Sequence, residues 1–395
     1  MNDRDEQNYA VTGLVDTSGG ALVVRTDGYR PGPADVAIPS NVAKRFGLRR
    51  GDLITGQART RTTNAQDGRS GRRRGARNDQ LASVQTVNDV PADSAGERPA
   101  FADLIPLYPQ DRLRLETDVP AEAGKARRPA RRVIDLIAPI GKGQRGLIVA
   151  PPKTGKTMIL QDIASAVTTN DPDVHLMVLL VDERPEEVTD MRRSVRGEVV
   201  DSTFDRPAEE HVAVAELTIE RAKRLVEQGR DVVILLDAIT RLARAYNNLG
   251  SGRRTLSGGV DASALYGPKA FLGAARNIEG GGSLTIIATA LVETGSRADE
   301  LFFEEFKSTG NMELRLNRGL AERRIFPAID VDASGTRREE LLFDRAELDA
   351  VRGLRRALAS LSTEDAAVLL RDKVAETDSN VELLLQVRRT TPLAA

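Results

Sequence analysis

The sequence predicts two folds in tandem, a small all-β unit followed by a larger parallel α/β sheet, and three observations carry that prediction. Apolar runs are short and broken by turn signals as far as residue 87; beyond residue 132 they lengthen and alternate with helix-like segments. The string Ala150-Pro-Pro-Lys-Thr-Gly-Lys-Thr157 lies between one of the later apolar runs and a helix pattern. The chain has no cysteine and only two histidines, His175 and His211. That excludes disulfides, thiolate nucleophiles, Cys-ligated zinc and any multi-histidine metal site.

The first unit reads as five strands, at 11–15, 21–25, 36–38, 53–56 and 81–87, punctuated by Ser18-Gly19-Gly20 and Pro31-Gly32-Pro33. One short helix, Asn41-Val-Ala-Lys-Arg-Phe46, follows the third strand, with Ser40 expected as its cap. Five strands with a helix after the third is the layout of an OB-fold barrel. The last two strands are joined by residues 55–79, expected to be a disordered loop because they cannot bury enough apolar surface to fold. Between residues 57 and 77 this loop holds seven arginines and one aspartate, a local charge of +6 in a chain whose net charge is −1. Of the 57 basic residues 48 are arginine, the better fork for phosphate oxygens. Two readings of the loop stay open: non-specific attraction to a polyanion and a solubilising insertion.

Residues 1–8 are acidic and polar, a disordered tail rather than a leader peptide, and no apolar run approaches the roughly 20 residues of a membrane span. The cytoplasm is therefore the expected compartment, with no membrane partner. The barrel is assigned to 9–89. A connector follows at 90–132, broken by prolines 91, 99, 106, 109, 120 and 129. The α/β domain with its C-terminal helices takes 133–395. Within it, strands are expected at 146–150, 175–181, 231–236 and 283–292, and helices at 155–168 and 207–228. The strand runs are unbroken rather than alternating, as in strands buried on both faces.

A strand, a Gly-Lys-Thr turn and a helix in that order make a phosphate-binding loop, whose backbone N–H groups and helix dipole favour an anion. Lys156 would reach the β/γ-phosphates and the Thr157 hydroxyl would ligate Mg²⁺; Ala150 departs from the pattern, standing where glycine is usual. Asp231-Val-Val-Ile-Leu-Leu-Asp237 ends a second strand in a carboxylate suited to organising the metal. Glu183, after the strand at 175–181, is placed to polarise an attacking water, although by itself it also fits a solvated acidic turn. His175 is expected to be structural and His211 to face solvent.

Residues 133–342 resemble the ATPase domain of the bacterial transcription termination factor Rho family, hexameric RecA-type RNA helicases. The resemblance rests on Gly146-Leu-Ile-Val-Ala-Pro-Pro-Lys-Thr-Gly-Lys-Thr157, Asp182-Glu-Arg-Pro-Glu-Glu-Val188, Leu236-Asp-Ala-Ile-Thr-Arg-Leu-Ala-Arg244, Gly258-Gly-Val-Asp261, Gly273-Ala-Ala-Arg-Asn277, Phe326-Pro-Ala-Ile329 and Ser334-Gly-Thr-Arg337. It implies a RecA-like P-loop ATPase using ATP and Mg²⁺, with Lys153, Thr154, Gly155, Lys156, Thr157 and Met158 around the phosphates and Phe326 against the adenine. It further implies that Glu183 activates water with Arg184 nearby and that Asp237 organises the metal. Arg337, with Arg324, would reach into the neighbouring subunit's site as the trans-acting arginine of a homohexameric ring; for Arg337 a surface salt bridge is the competing reading. Single-stranded RNA would be gripped by two pore loops, one formed by Arg254, Leu256, Ser257, Gly258, Gly259 and Val260 and the other carrying Arg297. RNA polymerase and the elongation factor NusG are implied as partners by the resemblance alone.

The barrel departs from the family. Its aromatics are Tyr9, Tyr29 and Phe46; the strand that usually carries stacking phenylalanines reads Gly20-Ala-Leu-Val-Val-Arg25; and Ala37 and Gln80 replace tyrosines, while Arg25 is kept as an RNA contact. Each lost stack weakens base binding by roughly 1–3 kcal/mol. Two functional readings therefore stand: an ATP-driven RNA translocase that releases transcripts from RNA polymerase, either the main terminator or a divergent second copy, and an RNA-binding ring or regulator with little productive translocation. A rotary ATPase subunit or a DNA recombinase of the same core fold fits the Asp182-Glu-Arg-Pro-Glu-Glu187 string and the barrel less well.

Overall fold

The computed structural model describes residues 8–60, 79–95, 98–117, 129–250, 252 and 255–390. The chain forms two compact units. One takes Met1–Leu104 with Val212–Gln228, and the other takes Ile105–His211 with Gly229–Ala395.

In the first unit, β1 (Asn8–Ser18), β2 (Ala21–Arg25), β3 (Val36–Ala37), α1 (Ser40–Arg45), β4 (Leu53–Arg59), β5 (Gln80–Val87) and β6 (Val90–Pro91) follow in order. The sheet runs β3-β2-β1-β4-β5-β6, and an additional β3–β5 pairing closes it into a barrel. Gly19 and Gly20, at φ 58° and 84°, make the two-residue turn that sets β1 against β2 with Ser18 opposite Ala21. Gly56 is required by crowding, since a Cβ there would lie 2.1 Å from the Ser83 carbonyl oxygen. Val11, Val15, Val24, Val36, Ile54, Leu81 and Val84 fill the interior. Two local expectations change. Ser40 is the first helical residue, preceded by Pro39 with no side-chain cap. The fourth strand runs on to Arg59, three residues past its expected end, because alternation of half-buried and buried positions continues through Ala58. Apart from Arg59, the arginines of the basic loop lie outside the described residues.

The expected connector has structure of its own. Phe101 is buried in the first unit and its N–H donates to Glu227 Oε1 at 2.7 Å. In the second unit come β7 (Pro106–Leu107), β8 (Arg112–Leu113), α2 (Pro129–Ile137) and β9 (Ile140–Gly141). Then follow β10 (Arg145–Ala150), α3 (Lys156–Asn170), β11 (His175–Glu183), α4 (Pro185–Ser194), β12 (Glu198–Thr203), α5 (Ala208–Glu227, of the first unit from Val212 on), β13 (Asp231–Asp237) and α6 (Ile239–Asn248). The remainder is α7 (Tyr266–Gly273), β14 (Arg276–Ile278), β15 (Ser283–Leu291), α8 (Arg297–Lys307), β16 (Met312–Arg315), α9 (Arg318–Glu322), β17 (Gly335–Thr336), α10 (Arg345–Leu358), α11 (Thr363–Glu376) and α12 (Asn380–Thr390).

The main sheet is ordered β12-β11-β13-β15-β10-β16-β17, parallel except at β17, with β14 antiparallel to β15 and β7. Ile148, Val178, Leu235, Ile287 and Leu314 pack with Leu160 and Ile163 on one face, and Leu147, Leu179, Ile234 and Ile286 of the other face are buried too, so the strands are covered on both sides. Three parallel strands, β10, β11 and β13, therefore end at the same edge, which is where ligands bind in open α/β sheets. His175 joins β11 to β12 through Glu198, 2.8 Å away, as a structural residue does. His211, expected to face solvent, is buried with its Nδ1 2.7 Å from Ser202 Oγ, because the first turn of α5 folds over the end of β12. Among the described residues no helix is long and apolar enough to cross a membrane.

Candidate functional site

The loop between β10 and α3 is shaped by its backbone. Lys153 and Gly155 take left-handed conformations at φ 66° and 90°, and the buried Thr154 hydroxyl donates back to the Pro151 carbonyl at 2.7 Å. The result is a tight loop whose following N–H groups, at the start of α3, have no partner within the helix. Ala150, in the place of the usual glycine, is fully buried as the last residue of β10. Met158 is exposed on the first turn of α3. The Phe326 ring is partly exposed and leans over the loop; a Cβ on Gly155 would meet its edge at 3.8 Å.

Three strand ends converge on Lys156. Its ammonium lies 3.0 Å from Glu183 Oε1 and also contacts Asp237 Oδ1. Pairing of Leu180 with Asp237 aligns β11 and β13. A register break between Val181 and Glu183, with Asp182 left-handed at φ 57°, turns the Glu183 carboxylate inward. The other Glu183 oxygen pairs with Arg241 at 3.0 Å, and the same guanidinium holds the Asp182 carbonyl. Thr289 on β15 donates to Asp237 Oδ1 at 2.7 Å. Burial pushes the Glu183 carboxyl above the ordinary glutamate range, the Lys156 charge pulls it down, and hydrogen bonding with Glu187 helps keep it raised. Burial alone would lower Lys156, but Asp237 and Glu183 outweigh it and hold the amine above its usual value. The Thr157 hydroxyl has no hydrogen-bond partner among the described residues. Arg184 is exposed and lines a cavity of about 560 Å³ with Asp182, Glu186, Phe204, Arg241 and Arg244.

Arg324 and Arg337 are both exposed, and neither has an ion pair or side-chain hydrogen bond among the described residues. The structure does not bring Arg337 to Lys156. Antiparallel pairing of Thr336 with Met312, itself beside Gly146, puts Arg337 at the opposite edge of the sheet from the phosphate loop. Arg324 follows α9 in a left-handed conformation at φ 63°.

The two loops assigned to RNA meet each other. Leu256, Ser257 and Gly259 are exposed, and Gly258, at φ 72°, lies so close to the start of α8 that a Cβ would stand 2.8 Å from the Ala298 nitrogen. Arg297 is the exposed first residue of α8, without an ion-pair partner among the described residues. Arg254 lies outside the described residues. Val260 is a correction: its side chain is fully buried, so it anchors the loop and presents nothing to a ligand. The loop base is tied by Asp261, which accepts from Gly252 and Ser263 at 2.8 and 2.9 Å.

Arg25 is the second correction. It is buried in the barrel, with Nε 2.8 Å from Asp16 Oδ2, a further ion pair to Asp35, and a bond to the Thr17 carbonyl. Asp16 is also held by Arg50 Nε at 2.7 Å. With every near neighbour an acid or a carbonyl, Arg25 neutralises the barrel interior and is not displayed to a ligand. Tyr9, by contrast, is partly exposed and donates to Asp79 at 2.7 Å; burial and that bond push its phenol up to about 12. Ala37 and Gln80 are register partners across β3 and β5.

Sequence reasoning missed Arg241, Arg244 and Thr289. Arg241 sits one helical turn beyond Asp237, a spacing visible in the string that ends at Arg244. Arg244 Nε reaches Asp299 on α8 at 2.9 Å, so α6 runs from the Glu183 cluster to the Arg297 loop. Thr289 depends on the β13–β15 register and had no local signal.

Residues 130–336 match the family model of the ATP synthase alpha/beta family, nucleotide-binding domain, and residues 11–93 that of the Rho termination factor, RNA-binding domain. The transcription termination factor Rho of Micrococcus luteus is 58% identical over 98% of this chain and 55% of its own. That of Mycobacterium tuberculosis is 56% identical over 98% of this chain and 63% of its own. That of Streptosporangium roseum is 55% identical over 96% of this chain and 93% of its own. The chain thus spans between about half and two thirds of the first two relatives' length. Among solved structures, an ATPase of the type III secretion system of pathogenic bacteria superposes with a TM-score of 0.57 at 26% identity, covering 65% of this chain and 83% of its own.

Proposed function

The chain belongs to the transcription termination factor Rho family, and on that premise we propose that it is an ATP-driven translocase on single-stranded RNA, working as a cytoplasmic homohexameric ring that releases transcripts from RNA polymerase. The observation that carries the reading is the Lys156 ammonium between Glu183 and Asp237, with Arg241 behind Glu183. A γ-phosphate entering the loop competes for Lys156, and as the amine turns to it Glu183 loses one of its two cations, keeping Arg241. The raised affinity of Glu183 for a proton then suits it to take one from the attacking water. Thr157 and Asp237 offer the hydroxyl and carboxylate oxygens that fit Mg²⁺, which when bound neutralises phosphate charge. Arg337, turned away from its own subunit's loop, supports completion of each site by a neighbour, with Arg324 as its companion. Leu256, Ser257, Gly258, Gly259, Arg254 and Arg297 are the RNA-gripping set, and the Arg244–Asp299 pair offers a mechanical link from them to Glu183. NusG is a further partner by family.

A second reading, an RNA-binding ring with little translocation, is favoured by the barrel, where β2 reads Ala21-Leu-Val-Val-Arg25 and carries no aromatic side chain. ATP hydrolysis without RNA, with poly(C) and with poly(U) tests both, using Lys156→Ala as the blank. Stimulation by RNA, lost in Lys156→Ala, is the expected result. Nucleotide binding with no stimulation by either polymer would favour the second reading.

A further inference from the structure

We propose that Tyr108 is a positioning residue for Arg337, acting through Arg338. This inference rests on reading Arg337 as the arginine that completes a neighbour's site. Tyr108 directly follows β7, whose Leu107 pairs with Asn277 of β14, so its backbone is fixed to the sheet while its ring is 58% exposed. The Arg338 guanidinium stacks 5.1 Å from the centre of that ring, and its Nε donates to Glu340 Oε1 at 2.6 Å. Arg338 is left-handed at φ 60°, a backbone conformation uncommon for a residue with a side chain. On the other side, the Arg337 N–H is bonded to the Asn311 carbonyl at 2.9 Å.

Behind Arg337 stands a second cation. Arg145 is anchored by the Thr309 and Ala275 carbonyls at 3.0 and 3.1 Å. It is held below the ordinary arginine range by burial, then by the like charges of Arg276 and Arg337, with Tyr108 acting in the opposite sense. Arg337 is thus bonded at its backbone, near enough to Arg145 to feel its like charge, and adjoined by a residue stacked on Tyr108. The Arg337 side chain is exposed, and no carboxylate pairs with its guanidinium among the described residues. A trans-acting arginine needs that: its tip must be placed to within about an ångström in a site its own subunit does not contain.

The test is steady-state ATP hydrolysis by the intact protein with poly(C), with ring assembly and thermal stability measured alongside. The expectation for Tyr108→Ala and Arg338→Ala is a kcat about tenfold lower with the KM for ATP within about twofold. Tyr108→Phe keeps the ring face and should match the parent, since the phenol hydroxyl has no hydrogen-bond partner among the described residues. In an Arg337→Ala background, Tyr108→Ala should cost nothing further. Three results overturn the inference: normal kcat in Tyr108→Ala while Arg337→Ala lowers kcat but leaves measurable turnover, loss in Tyr108→Ala explained by a broken ring while Arg338→Ala is normal, or an undiminished effect of Tyr108→Ala on the residual turnover of Arg337→Ala. If Arg337→Ala itself keeps full turnover, the reading of Arg337 fails first.

Discussion

The phosphate-loop edge of the sheet and the buried charge cluster of the barrel use the same residue types to opposite ends. At the sheet edge, Arg241, Lys156, Glu183 and Asp237 form one connected cluster whose partners are all functional candidates, and an incoming phosphate can rearrange it. In the barrel, Arg25, Asp16, Asp35 and Arg50 form an equally connected cluster, but there Arg25 and both carboxylates are buried and only Arg50 reaches the surface. The two networks differ in setting: one lies where strand ends meet a loop, the other inside a closed sheet. On the function proposed above, the aromatic-poor strand β2 and the connected sheet edge make the ATP site the more strongly specified of the two.

Glu183→Gln gives the sharpest contrast. The amide is nearly isosteric and cannot accept a proton, so RNA-stimulated kcat should fall by about 10²–10⁴ while nucleotide binding persists. A base with a raised pKa must be deprotonated to work. The acidic limb of the parent's kcat against pH should therefore lie above the ordinary glutamate range, and the limb should vanish in the variant. A limb that survives in Glu183→Gln would remove this residue from the proton transfer and weaken the contrast.

Next in size is Arg25→Ala. Removing one member of a buried ion cluster leaves Asp35 without its cation and should cost about 3–5 kcal/mol. Hydrogen exchange of β1 and β2 amides would read that loss locally, with RNA affinity in the native state unchanged. Lost affinity without lost protection would mean that Arg25 touches RNA after all, and the two clusters would be alike.

The contrast also explains what could be read from the chain. Strands, helices and the phosphate loop were legible because each is a contiguous pattern, and Lys156, Glu183 and Asp237 each end or follow an apolar run. Arg25 and Val260 were misread because their burial is decided at a distance. Closure of β3 on β5 and contacts with Asp16 and Asp35 enclose Arg25, and the approach of Gly258 to α8 goes with the burial of Val260. Thr289 was invisible for the same reason, since only strand order brings it to Asp237. Nothing in the residues around 337 reveals that antiparallel pairing with Met312 turns it away from its own loop.

The smallest predicted effect is also the most direct on the barrel. Ala37 is half-buried and Gln80 exposed, and they are paired across adjacent strands. Tyrosines at both positions would stand side by side at strand spacing, close enough to sandwich or flank one base. Ala37→Tyr combined with Gln80→Tyr should strengthen binding of a cytosine-rich oligonucleotide by about 1–3 kcal/mol per stacked base. Because stacking neutralises no phosphate, the slope of affinity against salt should be unchanged. Filter binding over a salt series reads both quantities. A gain with an unchanged slope would locate the barrel's weakness in its missing aromatics. No gain would mean that RNA does not run across this face, and the difference between the two regions would then lie in the path of the strand rather than in the strength of its stacking.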